Sequence, residues 1–391
     1  MLIGSNFPID ETFLSAVVNE GILYLASSID CKIKFDGSAV IVESDCDLKQ
    51  TFKEAFSSIS GNINVGMVRN DRHFINDFKK YFNINTDIRQ TFQDLILKVK
   101  ENIDNFEFKY DHLDLSMVVK GSTVLFESNK RKVDVVAPQI FKVDRFTGYT
   151  SLETTFTTKQ LKQMCLGETA LLLILGLSSA YVCSRRDGNN WYYYFLTFAP
   201  DEVSKMYLEG SNDLIRKYLI VKNEVMKILE DSYAVTSANE IPITELALNL
   251  KVQKLLNQNN LDKVSFILFK VAREGSDSYK IYEQIPIRIY RKIAFAEIVE
   301  RYFRNPDDFV KRLSEIFDKS ENRRLWNALK NKDSPNYPEG DNVLKAMQGL
   351  YRFVILGDLQ GYYQFVREIF NCYQKTENRQ YKRILERLGW F

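Results

Sequence analysis

The chain has 391 residues, of which 45% are hydrophobic and 27% are charged, and its formal net charge is +2. This is the composition of a globular protein, and the small net charge excludes a chain that is basic throughout. The five cysteines are scattered and include no CxxC pair, so neither a disulfide framework nor a zinc site is predicted.

The charge is distributed unevenly along the chain. Residues 1–60 hold four Lys or Arg and nine Asp or Glu, a net charge of −5, whereas residues 301–391 hold 17 and 12, a net charge of +5. A chain polarised in this way can present one basic face while it stays nearly neutral overall. The N-terminal sequence MLIGSNFPIDET is acidic and has no signal for secretion, so we expect a cytoplasmic protein.

The first part of the chain predicts alternating strands and helices. Asp36 and Gly37 lie between two β-rich runs and predict a hairpin, and Asp45 or Asp47 is expected to cap the helix that follows. The apolar spacing over residues 71–100 predicts a helical segment. The next run, LSMVVKGSTVLFESNKRKVDVVAPQIFKV, is typical of strands, with one turn near Gly121 and a second polar tip further on.

The middle of the chain contains LLLILGLSSAYVCSRRDGNNWYYYFLTF. A helix is predicted from Thr158 to about Ala180, with Thr157 or Thr158 as its cap. The apolar run over residues 170–177 is far shorter than the roughly 20 residues of a membrane span, so we expect a buried core helix. The four rings of residues 191–194 lie on a predicted strand, where alternate side chains face opposite sides, so they cannot form one stacking platform. A strand covered on both faces fits them better.

The remaining elements change in character near residue 290. A helix is predicted from Pro200, and the runs VSFILFKVAR and SYKIYEQIPIRI predict a strand pair. Beyond them only helical patterns occur, with starts predicted at Asn305, at Ser320 and at Asp341. We therefore predict an α+β fold, with a mixed α/β body that contains antiparallel hairpins and a C-terminal α-helical bundle. The body spans residues 1–290, with a sub-boundary near 110–150, and the bundle spans residues 291–391.

Motifs for catalysis are missing from the sequence. His73 and His112 stand in no metal-binding spacing, and no phosphate-binding loop, dinucleotide-binding glycine pattern or nucleophile elbow occurs. We therefore predict a protein that is not an enzyme, with no catalytic residues, no metal and no cofactor. For the alternative, a metal-dependent nuclease, Asp134 with Asp144 is the least implausible pair of candidate carboxylates.

Basic residues on the predicted helical bundle indicate nucleic-acid binding more strongly than any pattern in the sequence indicates catalysis. On the last helix, Arg379, Lys382, Arg383 and Arg387 fall within about 140° of one another in helical geometry. Arg323 and Arg324 add positive charge to the same bundle. Such a stripe can lie along a phosphate backbone, although a solvated helix face is the commoner cause of the pattern.

Two turn tips combine basic residues with asparagines. Arg or Lys with Asn on a short loop can contact phosphates and base edges together, although a soluble hairpin tip is the alternative. The candidate nucleic-acid-binding residues at these tips are Asn129, Lys130, Arg131, Lys132, Arg185, Arg186, Asn189 and Asn190.

Two segments carry a resemblance to a known family. They are TALLLILGLSSAYVCSRRDGNNWYYYFLTFAPDE in the middle of the chain and LKAMQGLYRFVILGDLQGYYQFVREIFN near its end. With the overall length and the order of elements, they make the chain from about 110 to 391 resemble the large subunit of type I-A CRISPR effector complexes, the archaeal Cascade-like assemblies. Residues 1–110 lie outside the resemblance.

The resemblance implies a specific role. Subunits of this family lie near the 5′ handle of the guide RNA, help to recognise the protospacer-adjacent motif in target duplex DNA and support strand separation. The implied partners are guide RNA, target DNA, the CRISPR backbone subunits and the helicase-nuclease, and no membrane. Besides the nuclease, a structural interaction protein of a mobile element or virus, without a nucleic-acid role, remains an alternative.

Overall fold

The computed structural model describes residues 2–59, 62–84, 91–121, 123–127, 133–146, 162–187, 190–231, 241–317 and 321–390. The predicted α+β class is confirmed, since a mixed sheet, an antiparallel sheet and a helical C-terminal region are present. The chain divides into two compact units. The first comprises Met1–Leu219 and Ser265–Ile287, and the second comprises Ile220–Val264 and Arg288–Phe391.

The strands belong mainly to the first unit. In chain order they are β1 Ile3–Ser5, β2 Lys32–Phe35, β3 Val40–Glu43, β4 Leu113–Lys120, β5 Thr123–Glu127, β6 Val135–Val136, β7 Lys162–Cys165, β8 Tyr181–Asp187, β9 Asn190–Phe198, β10 Lys263–Glu274 and β11 Ser278–Tyr290. In the described part of the chain, β2-β3-β1-β4-β5-β7-β6 form one sheet and β11-β10-β9-β8 form a second. The first sheet is mixed, because β1 runs parallel to β4 and β5 runs parallel to β7.

The helices of the first unit follow the predicted caps in several places. They are α1 Phe13–Ser27, α2 Leu48–Ser58, α3 Asp71–Tyr81, α4 Phe92–Asn102, α5 Gly167–Ala180, α6 Pro200–Glu209 and the first part of α7 Asn212–Asp231. Asp47 caps α2, since its Oδ1 accepts a hydrogen bond of 2.7 Å from the Gln50 amide. The predicted hairpin at Gly37 is confirmed by the antiparallel pairing of β2 with β3.

Helix α5 is the predicted core helix. All fourteen of its residues are buried, and it packs against α1. Gly176 explains how closely the two helices approach, because a Cβ at this position would overlap the Val17 carbonyl oxygen. Across the same contact, a Cβ on Gly21 would lie 2.7 Å from the Leu172 carbonyl oxygen. Among the described residues, none of the helices has the length and apolar character needed to cross a membrane.

Substitution of Gly176 tests this helix contact. Gly→Ala in an open helix gains about 1 kcal/mol, because alanine has the higher helix propensity. Here we expect Gly176→Ala to lower the free energy of unfolding by about 2 kcal/mol, since the added methyl group has to push two packed helices apart. Urea unfolding followed by circular dichroism measures the difference. A variant as stable as the wild type would contradict the close α1–α5 contact.

Strand β9 shows how the aromatic run is used. Tyr193 and Tyr194 are buried, as are the residues that follow to Phe198, whereas Trp191 at the start of the strand is exposed. The Lys270 ammonium lies 4.8 Å from the centroid of the Tyr192 ring. The expectation that these rings do not form one platform and that the strand is covered on both faces is confirmed for the part from Tyr193 onward.

The helices of the second unit surround one aromatic and aliphatic core. They are the second part of α7, then α8 Ile241–Asn259, α9 Ile293–Tyr302, α10 Pro306–Glu315, α11 Arg323–Lys330, α12 Gly340–Leu356, α13 Leu359–Thr376 and α14 Arg379–Arg387. The predicted cap of α10 is confirmed, since Asn305 Oδ1 accepts a hydrogen bond of 3.3 Å from the Asp308 amide. The core is built from side chains such as Trp326, Leu350 and Phe353.

Several boundaries differ from the sequence prediction. Residues 162–165, predicted to be helical, form β7, because this segment pairs with β5 in the sheet. Helix α5 begins only at Gly167, and the predicted caps Thr157 and Thr158 lie outside the described residues. The helix predicted at Asp341 begins at Gly340, with Glu339 in the cap position, and the helix predicted at Ser320 begins at Arg323.

The unit boundary also differs from the predicted one. The chain enters the second unit for good at Arg288, close to the predicted boundary at residue 290. The second unit in addition contains Ile220–Val264, which the sequence placed in the body. The reason is packing, since α8 lies against α10 and α12 and contributes Leu246 and Leu250 to their core.

Candidate nucleic-acid interface

Helix α14 is strongly amphipathic. It begins after Asn378, whose side-chain oxygen accepts a hydrogen bond of 2.9 Å from the Gln380 amide. Its buried face consists of Tyr381, Ile384 and Leu385. The opposite face is exposed and basic, with the side chains of Arg379, Lys382 and Arg383.

A hydrogen bond joins the start of α14 to the start of α11. Gln380 Oε1 accepts a hydrogen bond of 2.7 Å from the Arg324 backbone amide, which lies in the first turn of α11. The preceding residue, Arg323, is exposed. The first turns of the two helices therefore lie together, and Arg323 extends the positive surface of α14. We call the exposed side chains of Arg323, Arg379, Lys382 and Arg383 the basic face.

Two residues of the basic face stand at helix N-termini, where the helix dipole disfavours positive charge. The N-terminus of a helix carries partial positive charge, so acidic side chains stabilise it and basic ones cost about 0.3–1 kcal/mol each. Arg323 and Arg379 each stand at the first position of a helix. Within the part of the chain that the structure describes, neither residue forms an ion pair that would offset this cost. Lys382 has a carboxylate nearby, since its Nζ lies 3.6 Å from Glu386 Oε1. A phosphate bound here would compensate the positive charge.

Arg324 faces inward, unlike Arg323. Its guanidinium makes two hydrogen bonds to the carboxylate of the fully buried Glu339, of 2.5 and 3.0 Å, and a third of 2.9 Å to the Asn336 carbonyl oxygen. Tyr381 donates a further hydrogen bond of 3.0 Å to Glu339 Oε1. Burial opposes ionisation of Glu339, but the bonds from Arg324 and Tyr381 outweigh it and lower the pKa of the carboxyl group. Arg324 thus connects α11 to the start of α12, and we do not place it on the basic face.

Arg387 is also engaged within the bundle. Its guanidinium pairs with Glu321 and lies 4.0 Å from Glu315 Oε2, and its carbonyl oxygen accepts a hydrogen bond of 3.2 Å from Arg312. The side chain is half-buried. These contacts fasten the end of α14 to α10 and to the turn before α11, so we assign Arg387 to the fold.

The two predicted tips are described only in part. Asn189 and residues Asn129, Lys130, Arg131 and Lys132 lie outside the described residues. On the hairpin of β8 and β9, Arg186 pairs with Trp191, and both Arg186 and Asn190 are exposed. Arg185 is half-buried and donates a long hydrogen bond of 3.4 Å to the Ser184 carbonyl oxygen. Arg186 and Asn190 are thus accessible to a ligand in the first unit.

The carboxylates suggested for a nuclease have other uses. Asp144 accepts hydrogen bonds of 2.9 and 3.1 Å from the first amides of α1, those of Phe13 and Leu14, and burial raises its pKa to about 6. Asp134 pairs with Lys109 at 3.2 Å. No group of three or more potential metal ligands comes together among the described residues. Each of the two carboxylates thus has a partner within the protein fold.

Sequence reasoning missed the residues that hold the basic face in place. Gln380 and Glu339 act through contacts across 56 and 15 residues of chain, respectively. Nothing local distinguishes Gln380 from any exposed glutamine. Glu339 lies in a loop-like run before α12, and its buried side chain could be found only from the packing of three helices.

These features define an α+β protein of two compact units with a basic face on its helical unit. No family model matches the chain. Over 387 residues it is 38% identical to an uncharacterized protein of Archaeoglobus fulgidus, and the alignment covers 99% of this chain and 96% of that protein. The chain therefore belongs to the same family as this archaeal protein, and the similarity extends over both units.

Proposed function

We propose that the protein binds nucleic acid through the basic face. The observation that carries the proposal is the cluster of four exposed cations at and beside the adjoining N-termini of α11 and α14, where the helix dipoles disfavour Arg323 and Arg379 at the first positions. Guanidinium and ammonium groups are donors that proteins use to hold phosphate. Contacts of this kind give affinity that depends strongly on salt and weakly on sequence.

Sequence-dependent contacts require a different surface. Arg186 and Asn190 combine a guanidinium and a carboxamide on one exposed hairpin, and these groups can pair with guanine and adenine edges in the major groove. In this proposal the β8–β9 hairpin is a base-contacting surface of the first unit, considered separately from the phosphate contacts of the basic face.

We further propose that the protein acts in the cytoplasm as a non-catalytic large subunit of a type I-A CRISPR effector complex. The support is the resemblance of two segments, which correspond to α5 with the β8–β9 hairpin and to the α12–α13 pair. In such a complex the guide RNA supplies sequence recognition by base pairing. The protein would help to recognise the protospacer-adjacent motif and to separate the target strands.

Exposed aromatic side chains support a role as a subunit. Tyr302, Tyr363 and Trp390 in the second unit expose 57%, 48% and 47% of their surface, respectively, and the rings of Tyr363 and Trp390 contact each other edge to face. Tyrosine and tryptophan are enriched in protein–protein interfaces. These rings suit contacts with the CRISPR backbone subunits better than contacts with solvent.

Purification from the native host tests the proposal. We expect the tagged protein to copurify with small guide RNAs and with CRISPR backbone proteins, identified by RNA sequencing and mass spectrometry. The same purification is repeated with the triple variant Arg379→Ala, Lys382→Ala and Arg383→Ala, which lacks most of the basic face and should recover less RNA than the wild type. Recovery of neither guide RNA nor backbone proteins would contradict the CRISPR assignment. Cleavage of DNA or RNA that requires Mg²⁺ would favour the nuclease alternative, and a failure to bind either nucleic acid would favour a structural interaction protein.

A further inference from the structure

A polar cleft of about 580 Å³ lies within the first unit. Its walls come from α3, from the turn between β10 and β11, from the segment that follows β6, and from β7. The side chains that line it include His73, Asp77, Lys142, Lys162, Asp277 and Ser278. The volume falls in the range of sites for small molecules, about 300–1,000 Å³, but the lining is more polar than that of sites for apolar ligands.

A buried carboxylate holds three walls of the cleft together. Asp71, at the start of α3, accepts hydrogen bonds of 2.9 Å from the Val68 amide and 2.7 Å from the Gln139 amide. The Tyr279 hydroxyl, which donates a hydrogen bond of 2.8 Å to the Gly66 carbonyl oxygen, lies 3.4 Å from the same carboxylate. Burial raises the pKa of this carboxyl group despite these contacts. The cleft is therefore shaped in advance of any ligand, which lowers the entropy that binding would cost.

The two carboxylates in the cleft already have donors. Asp277 pairs with Arg69, with 3.0 Å between Oδ1 and Nε, and Asp77 accepts a hydrogen bond of 3.2 Å from the Val136 amide. A carboxylate has about four acceptor positions, so each keeps some for a ligand. The Arg69 guanidinium offsets the negative charge of Asp277, and the remaining acceptor positions of both carboxylates can take hydrogen bonds from the hydroxyl groups of a ligand.

The cations of the cleft come from another part of the chain. Lys142 lies on the 3-10 segment after β6, and Lys162 is the first residue of β7. Lys142 is half-buried, whereas Lys162 and His73 are exposed at the rim. Lysine is a common partner for phosphate. The cleft thus combines phosphate-binding cations with carboxylate, amide and hydroxyl groups that suit a polyhydroxylated ligand.

We propose that this cleft binds a small phosphorylated molecule that contains a ribose phosphate unit. Lys142 and Lys162 hold the phosphate, and Asp77, Asp277 and Ser278 bind the hydroxyl groups. A sugar phosphate and a nucleotide share this chemistry. The site lies wholly within the first unit and does not depend on nucleic-acid binding by the basic face.

Titration calorimetry on the full-length protein tests the site with four probes: ribose 5-phosphate, adenosine monophosphate, ribose and inorganic phosphate. We expect saturable binding of the first two, with ribose and inorganic phosphate each at least tenfold weaker than the tighter of them. Tighter binding of adenosine monophosphate than of ribose 5-phosphate identifies a nucleotide as the ligand, and the reverse order identifies a sugar phosphate.

Single lysine variants locate the binding. Lys142→Ala and Lys162→Ala should each weaken the tighter probe at least tenfold. Lys32→Ala is the matched control, because Lys32 is an exposed lysine on β2, at the opposite edge of the first sheet from β6, and it should bind as the wild type does. Thermal unfolding shows whether each variant is folded. Because Lys162 is exposed and Lys142 is half-buried, Lys162→Ala is less apt to disturb the fold than Lys142→Ala. The proposal is overturned if neither ribose 5-phosphate nor adenosine monophosphate binds, if inorganic phosphate binds as tightly as the tighter of these two, or if the folded Lys162→Ala variant binds like the control.

Discussion

Replacing Arg379, Lys382 and Arg383 together by alanine is expected to weaken binding to duplex DNA by roughly 500-fold at about 0.1 M salt. Each lysine or arginine that contacts a phosphate contributes about 0.9 to the slope of log K against log salt concentration. Between about 1 M and 0.1 M salt, one such contact therefore raises the affinity about eightfold. The slope should therefore fall by about 2.7 in the triple variant. Fluorescence anisotropy of a labelled duplex over a range of salt concentrations measures both quantities.

A triple variant of equal charge is the matched control. Lys251 and Lys254 on α8 and Lys345 on α12 are exposed lysines of the same unit. Their replacement by alanine lowers the net charge by the same amount but leaves the basic face intact, so affinity and salt slope should change little. An equal loss in both triple variants would show that net charge, and not the basic face, controls binding. Circular dichroism should confirm that both remain folded, since all six side chains are exposed.

Local sequence signals predicted the parts of the fold that depend on neighbouring residues. The cap of α10 at Asn305 and the amphipathic pattern of α14 follow from contacts within one or two helical turns, and both are present. The burial of α5 was also predicted locally, because a run of apolar residues too short to span a membrane favours a core position. Hairpin turns such as the one at Gly37 also depend only on short-range geometry.

The features that the sequence did not predict depend on contacts between residues that are far apart in the chain. Strand β7 is fixed by parallel pairing of Lys162 with Thr123, a partner that no local pattern reveals. Arg323 and Arg324 are equivalent in the sequence, yet one is exposed and the other binds Glu339. The polar cleft of the first unit gathers residues from positions between 70 and 279, and none of them belongs to a recognisable motif.

Arg324→Ala is expected to lower the free energy of unfolding by about 3 kcal/mol, the lower end of the roughly 3–5 kcal/mol found when one partner of a buried ion pair is removed, because the Arg324 side chain is itself 27% exposed. The Glu339 carboxylate is fully buried in the wild type, and in the variant Tyr381 remains as a side-chain donor to it. Arg323→Ala is the matched control, since it removes the same side chain one residue earlier from an exposed position, where relief of the unfavourable helix dipole should raise the free energy of unfolding by about 0.3–1 kcal/mol. Urea unfolding of both variants gives the comparison, and equal losses would contradict the separate roles of the two arginines.

The pH dependence of this loss identifies its cause. In the wild type the bonds to Glu339 hold its pKa below the ordinary value of 4.5, so the ionised carboxylate stabilises the fold above that pH and the contribution is lost as the pH falls through the lowered pKa. Without Arg324, burial should raise the pKa of Glu339, and the carboxyl group should take up a proton before the fold is lost. The destabilisation by Arg324→Ala should therefore be complete near pH 7 and should shrink as the pH falls toward about 4. A loss that does not change with pH would indicate that Arg324 stabilises α11 by packing its side chain and not by its charge.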